Sequence, residues 1–234
     1  MGLADLHIHS TYSFDGTTPV SAVLNRARKI GLHVIALTDH DEIAGSLRAL
    51  ELAPMYKVEV IPGVEITTAE GDLLALNITK NIPRDLPLAE TVLRVRQLGG
   101  FCIAPHPMAG GIGMRSLGGS SILKALRNPD VAQTLIAIET YNATVLDKMS
   151  NHYAHLLAER LNIAQTASSD AHVLEAIGLG FTEFEGCTTQ DLLHALKQKE
   201  TRPHKLKEWN AARILGSWAA NYIGSALTRL ANPA

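Results

Sequence analysis

The sequence predicts an α/β fold in which a parallel sheet is joined by helical crossovers. Three observations carry that expectation. Short apolar runs alternate with amphipathic stretches along most of the chain, the pattern that strand–helix–strand units produce. The first apolar run, Ala4 to Ser10, alternates as a strand does, with Leu6 and Ile8 on one side and Asp5, His7 and His9 on the other. A helix follows, with Thr18 as N-cap, Pro19 at the first helical position and Gly31 past its end; Val20, Val23, Leu24, Ala27 and Ile30 lie at helical spacing.

The other elements come in order. His33 to His40 reads as a buried strand and Ala44 to Ala53 as its return helix. Val58 to Thr68 and Asp72 to Ile78 read as two strands joined through Glu70-Gly71, followed by a helix from Leu88 to Leu98 and a strand from Phe101 to Pro105. Leu135 to Asn142, helix Leu146 to Leu161, strand Ile163 to Ser169 and a helix over Thr189 to Lys199 complete the series. The segment from Pro107 to Gly119 holds five glycines and Arg115, and a loop of that length in a compact domain is usually functional. Pro203 marks a break, so a barrel over 1–204 is expected to precede a tail over 205–234. The tail's stripe of Leu215, Trp218, Ala219, Tyr222, Ile223, Ala226 and Leu230 predicts an amphipathic helix packed on the domain.

Composition narrows the function classes. Hydrophobic residues make up 46% of the chain, ample for a core, and a net charge of −2 with a pI near 6.5 gives no global basic field for nucleic acid. Cys102 and Cys187 lie outside any CxxC pattern and are expected to pack as small buried groups. The start lacks the basic and apolar regions of a secretory signal, and the longest uncharged run, between Arg213 and Arg229, is 15 residues. A membrane helix needs roughly 20. The expectation is a cytoplasmic protein without a membrane segment.

The chemistry is carried by polar residues at the ends of the apolar runs. His7 and His9 end the first, His40 the second, Glu65 the third, His106 another, and Asp170 with His172 follow the last. In a parallel barrel the carboxyl ends of the strands gather on one face, where active sites are built. Residues two apart on a strand share a face at about 6.5 to 7 Å, so two imidazoles there can lean onto one cation at about 2.0 to 2.1 Å for zinc. Mixed imidazole and carboxylate donors suit Zn, Mn or Fe better than Ca, and a glutamate among them can bridge two ions. Each signal alone has a plain reading: a polar strand face for His7 and His9, a helix cap for Asp170, a turn for His106, a solvated strand end for Glu65. Five at successive strand ends are hard to explain separately. His33, His152, His155, His194 and His204 stand at helix starts, on helices or in the tail, and no site role is expected of them.

Asp5-Leu-His7-Ile-His9-Ser10, Thr38-Asp39-His40, Gly63-Val64-Glu65, His106-Pro107 and Ser169-Asp170-Ala171-His172 together resemble the PHP superfamily, the polymerase and histidinol phosphatase domain. The resemblance spans residues 4 to about 185 and implies a distorted seven-stranded (β/α) barrel with up to three divalent metals. It implies that His7, His9, Glu65 and Asp170 hold a first metal, that Glu65 bridges to a second also bound by His106, and that Asp15, His40 and His172 hold a third. Asp15 is equally an ordinary turn residue in Phe14-Asp15-Gly16. Where the family usually supplies a further histidine to the second metal, this chain has Asp72, so two or three filled sites remain open, with metal preference altered if Asp72 ligates.

The activity this implies is hydrolysis of a phosphoester by a metal-activated water, with Glu65, His106, Asp170 and His172 at its centre. Arg115 is the candidate phosphate clamp, with a plain surface arginine as the alternative. Asn142 is a candidate lining residue, Glu139 reads as structural, and Asp39 either orients His40 or only ends its strand. Charge and the lack of an aromatic-basic surface favour a small phosphorylated metabolite or nucleotide. The alternatives are an exonuclease on short oligonucleotides and a non-catalytic, metal-stabilised interaction module.

Overall fold

The chain begins in a strand, β1 (Gly2–Ile8), which pairs in parallel with β2 (Val34–Leu37) after crossing over through α1 (Val20–Lys29). We describe the protein from a computed structural model, which covers residues 1–110, 114–145 and 147–206, together with 216 and 219. Val23, Leu24 and Ala27 of α1 are buried against this pair, as the helical spacing predicts. The helix has no side-chain cap, however; Pro19, not Thr18, stands at its N-cap position, and its fixed φ of −60° sets the entry.

The order continues with α2 (Ala44–Tyr56), β3 (Glu59–Val60), β4 (Gly63–Thr67), β5 (Asp72–Leu76), α3 (Leu88–Gln97) and β6 (Phe101–Ala104). Then come α4 (Gly119–Ala125), α5 (Pro129–Thr134), β7 (Leu135–Asn142), α6 (Lys148–Leu161), β8 (Ala164–Ser168), a 3-10 turn at Leu174–Ala176, β9 (Gly180–Phe184), α7 (Thr189–Gln198) and β10 (Arg202–Lys205).

The expected single, seven-stranded parallel barrel needs correction. The described strands form two five-stranded sheets, in orders β10-β9-β1-β2-β3 and β4-β5-β6-β7-β8. Both are mixed: β5 is antiparallel to β4 and β6, and β9 to β1 and β10. No continuous ladder closes them. They meet at two seams, each touched by one isolated parallel bridge, Ile8 with Ala171 and His40 with Glu65. Backbone bonds at the seams run from His9 N–H to the Ala171 carbonyl (2.9 Å) and from Asp41 N–H to the Glu65 carbonyl (2.8 Å). The seams therefore carry the site residues.

Other differences have local causes. The expected strand from Val58 to Thr68 is two strands broken at Ile61-Pro62, since proline cannot donate to a ladder. Pro203, read as a break, sits in β10, opposite Thr182 at the sheet edge, where proline is tolerated. Leu6 and Ile8 do not share a face. Leu6 packs with Leu74, Ile103 and Ala137, Ile8 with Val23, Leu24 and Leu37, because the register of β1 against β2 shifts between Asp5 and Ile8. Cys102 is buried as expected, but Cys187 is exposed in the turn before α7. The expected amphipathic tail lies almost wholly outside the described residues, as does Leu146. No helix among the described residues is long and apolar enough to cross a membrane.

Three buried clusters hold the sheets. One lies between the second sheet and α3 to α6, a second between the first sheet and α1 and α2. The third runs between the sheets from Ala4 and Leu6 to Leu74, Leu76 and Ile103, and Leu192, Ala195 and Leu196 of α7 pack into it. Each fully buried leucine here contributes roughly 1.5–3 kcal/mol. The polar residues occupy the other, carboxyl-terminal end of β1, where that apolar packing stops.

Candidate metal centre

Strand ends and seams bring nine predicted residues into one cluster. His7 lies in β1, one residue from its end, and His9 follows it; His40 follows β2, Glu65 lies in β4, Asp72 opens β5, His106 follows β6, and Asp170 and His172 follow β8. Asp15 arrives on the loop after β1. That loop is tied by hydrogen bonds from Thr11 N–H to the Thr18 carbonyl and from Thr17 N–H to the His172 carbonyl, 3.0 Å each. Gly16 is required there, because a Cβ would collide with the Ser10 carbonyl.

Glu65 is the hub. Its Oε2 lies 3.0 Å from His7 Nε2, 3.2 Å from His9 Nε2 and 3.4 Å from His40 Nδ1, while Oε1 lies 3.2 Å from His106 Nε2. Asp170 Oδ1 takes the other side, 3.2 Å from His9 Nε2 and 3.4 Å from His7 Nε2. Asp15 Oδ2 lies 3.1 Å from His172 Nε2 and 3.5 Å from His40 Nε2. Four sets of donors fall within 4.8 Å of one another: His7, Glu65 and His106; His7, His9 and Asp170; His9, Asp15, His40 and His172; and His40, Glu65 and Asp72. Two donors each about 2.1 Å from one ion stand up to about 4.2 Å apart, so these spacings suit shared cations.

The electrostatics fit the same reading. Burial works against charge on His7, yet Asp170, Glu65 and Glu139 outweigh it and hold its pKa well above the ordinary value. Burial likewise opposes charge on Glu65, but His7, His40 and His106 hold it well below the carboxylate range. Both nitrogens of His9 and Oδ1 of Asp72 are buried without a hydrogen bond, a costly state that a cation would relieve. Burial and the Glu65 charge push Asp72 up to about 6. The orphaned atoms and the mixed imidazole–carboxylate set suit divalent ions of the Zn, Mn or Fe kind.

Several expectations shift. Asp72 groups with His40 and Glu65 and not with His106; it opens β5 opposite Thr67, two pairs beyond the level of Glu65. Asp39 does not orient His40; it accepts from Ser10 N–H (2.6 Å) and Ser10 Oγ (2.8 Å), so it pins the chain just past His9. Arg115 is exposed and donates from Nη2 to the Thr68 carbonyl at 3.3 Å. Its own carbonyl accepts from Asp72 N–H at 2.6 Å, fastening the glycine-rich loop to β5. Gly71, at φ +147°, permits that approach, since a Cβ would come within 2.6 Å of Leu117 N. Residues 111–113 of the loop lie outside the described set.

Asn142 lines the site as expected, donating from Nδ2 to Asp170 Oδ2 (3.1 Å) and Glu139 Oε2 (2.8 Å). Glu139, read as structural, is fully buried behind His7 and His106. A charged residue inside the run Leu135 to Ile138 and beyond was the signal for it. Ser116, whose Oγ lies 3.1 Å from His106 Nδ1, and Thr144, whose Oγ1 donates to Asp170 Oδ2 (2.8 Å), carry no such signal. His33, His155 and His204 engage Leu3 N–H, Gln165 and the Phe181 ring, away from the cluster.

An uncharacterized Methanocaldococcus jannaschii protein is 34% identical over 161 residues, 64% of this chain and 88% of its own length. A 5'-3' exoribonuclease of Haemophilus influenzae is 39% identical over 97 residues, 40% of this chain and 35% of the relative. A phosphoribosyl 1,2-cyclic phosphate 1,2-diphosphodiesterase of Eggerthella lenta is 32% identical over 100 residues, 40% of this chain and 38% of the relative. The chain thus matches well under half the length of either enzyme. In shape it is similar to a two-domain Bacteroides vulgatus protein containing a PHP-like metal-dependent phosphoesterase. The TM-score is 0.71 at 19% identity, covering 87% of this chain and 64% of that one. Residues 148–201 match the PHP-associated family, and residues 5–159, which carry seven of the nine clustered residues (all but Asp170 and His172), match the PHP domain: this chain belongs to the PHP domain family.

Proposed function

We propose that this chain hydrolyses phosphoesters of a small phosphorylated metabolite or nucleotide, using two or three divalent cations of the Zn, Mn or Fe kind. The observation that carries the reading is the Glu65 carboxylate, with one oxygen among His7, His9 and His40 and the other on His106. His7, His9, Glu65 and Asp170 are assigned to a first cation, Glu65 and His106 to a second, and Asp15, His40 and His172 to a third. Asp72, standing between Glu65 and His40, joins the second or third. When bound, such cations acidify water and neutralise charge developing on phosphoryl oxygens.

The chain's own residues do the rest. Glu65 and Asp170 keep their negative charge inside the cluster and fix the spacing of the imidazoles. His106 and His172 set ring nitrogens 3.2 Å from Glu65 and 3.1 Å from Asp15. Arg115 uses one donor on the Thr68 carbonyl, leaving others of its five N–H groups to grip a phosphate at the rim. The near-neutral charge favours a small substrate over a long polyanion. The exoribonuclease relative favours the second reading, cleavage of short oligonucleotides.

A chelated sample reloaded with Mn or Zn and offered phosphorylated metabolites, bisphosphate nucleotides and short RNA tests the proposal. Metal-dependent phosphate release from the small substrates is the expected outcome. Turnover of RNA alone would favour the exonuclease. Metal-dependent melting with no turnover at all would favour an interaction module and sink the enzyme reading.

A further inference from the structure

Glu139 lies within β7 with no exposed surface, and the reaction above gives it no task. Its carboxylate nevertheless faces three groups of the cluster. Oε2 accepts from the backbone N–H of His106 and from Asn142 Nδ2, both at 2.8 Å. Oε1 and His7 Nδ1, both sealed from solvent and neither making a hydrogen bond, stand 3.4 Å apart. The other nitrogen of His7, Nε2, points to Glu65 and Asp170 at 3.0 and 3.4 Å. A neutral imidazole between a ligand position and a carboxylate carries its proton on the carboxylate side, leaving the far nitrogen for a cation.

We propose that Glu139 is the positioning residue of the metal cluster: it holds His7 in the Nδ1-protonated tautomer and anchors His106 through its backbone. The proposal rests on the cation-binding reading of the site. His106 needs the anchor, because its φ of 29° lies in the left-handed region that a histidine rarely adopts. The ring of His106 repeats the arrangement of His7, with Ser116 Oγ at 3.1 Å from Nδ1 and Glu65 Oε1 at 3.2 Å from Nε2. Asn142 extends the network to the first-cation carboxylate, donating also to Asp170 Oδ2 at 3.1 Å.

The two donors on Oε2 fix the outcome of an isosteric change. In Glu139→Gln the side-chain carbonyl must stay against His106 N–H and Asn142 Nδ2, because neither can become an acceptor in place. The new NH2 group then faces His7 Nδ1. It can be accommodated only if Nδ1 accepts, and that moves the proton to Nε2, the nitrogen meant for the cation. An exchange of a carboxylate for an amide behind a histidine thus acts through the tautomer while leaving shape unchanged.

The experiment uses the full chain labelled with 15N-histidine, chelated and then titrated with zinc. Zinc affinity is read by competition with a chromophoric chelator and ring protonation by nitrogen shifts. In the wild type, His7 is expected to show Nδ1–H with zinc on Nε2. Glu139→Gln should lose about 10- to 100-fold in zinc affinity together with that Nδ1–H signal, at unchanged circular dichroism. Ser116→Ala should weaken zinc binding less and perturb His106 alone. A wild-type His7 protonated at Nε2, or ligated through Nδ1, would overturn the proposal whether or not the variant folds. So would a Glu139→Gln protein with wild-type affinity and tautomer whose melting temperature alone has dropped. A wild type that takes up no zinc removes the cation-binding reading itself, whereas zinc uptake that Glu139→Gln leaves untouched removes only this inference.

Discussion

The inner and outer halves of the cluster are built on different supports. His7, His9, Glu65, His106 and Asp170 sit in strands or directly after them, with side chains no more than 6% exposed. Each of three has a partner behind it: Glu139 for His7, Ser116 for His106, and Asn142 with Thr144 for Asp170. Asp15, His40 and His172 are 14%, 18% and 19% exposed and stand on connecting loops. Their supports mix local contacts, such as Ser13 Oγ donating to Asp15 Oδ1 at 2.6 Å and the Asp170 carbonyl facing His172 Nδ1 at 3.0 Å, with distant ones, such as Thr17 Oγ1 donating to the His172 carbonyl at 2.8 Å. Residues locked by ladders and buried partners hold one geometry, whereas loop-borne ligands adapt at lower cost. On the proposed cation-binding reading, the more buried inner half is expected to be the fixed part of the centre and the more exposed outer half the exchangeable part.

His9→Ala breaks the comparison at its strongest point. It removes the ring that lies 3.2 Å from both Glu65 and Asp170. Phosphate release in metal-supplemented buffer should fall by at least about 10^3-fold, the scale of losing a transition-state charge stabiliser, with circular dichroism unchanged. Full activity in that variant would refute the assignment of the inner half. Asp15→Ala sharpens the comparison from the other side. It should weaken the most loosely held cation by about 10- to 100-fold while metal analysis still finds the inner ions in place. Loss of every ion from Asp15→Ala would show the two halves to be one unit.

The same division explains what could be read from the sequence. His7, His9, His40, Glu65, His106, Asp170 and His172 were legible because each follows an apolar run, and strand ends gather wherever sheets and crossovers alternate. The supporting groups were not. Ser116 and Thr144 reach the site through loop docking, and nothing in a loop's composition announces which carbonyl it will meet. The sheets were legible as α/β, yet their division was hidden in details of register. A shift in β1 sends Leu6 and Ile8 to different clusters, β5 returns beside β4 through a short turn, and helices α3 and α7 join antiparallel strands where an apolar pattern alone suggests parallel crossovers. Edge strand β10 hid behind Pro203, a residue that argues against strands except where its missing donor faces outward.

The pH dependence of the metal-free protein gives the smallest effect and locates its source. The pKa values of His7, His9, His106 and His40 are raised from 6.5, against the burial that lowers them, chiefly by Glu65, Asp170 and, for His40, Asp15. Groups raised in the folded state stabilise it fully below pH 6.5 and lose that contribution as pH rises through their folded values. Glu65 and Asp170 are depressed below 4.5 and 3.8, so their contribution is present above those values and fades only in stronger acid. The chelated protein should therefore be most stable between about pH 4.5 and 6.5, and its melting temperature should fall above that window. Adding zinc should remove the alkaline fall, since cations replace the departing protons among the carboxylates. Asp15→Ala should leave the fall nearly intact if the buried inner pairs produce it. A melting temperature in Asp15→Ala that no longer responds to pH would place the stored charge pairing in the outer half and reverse the comparison.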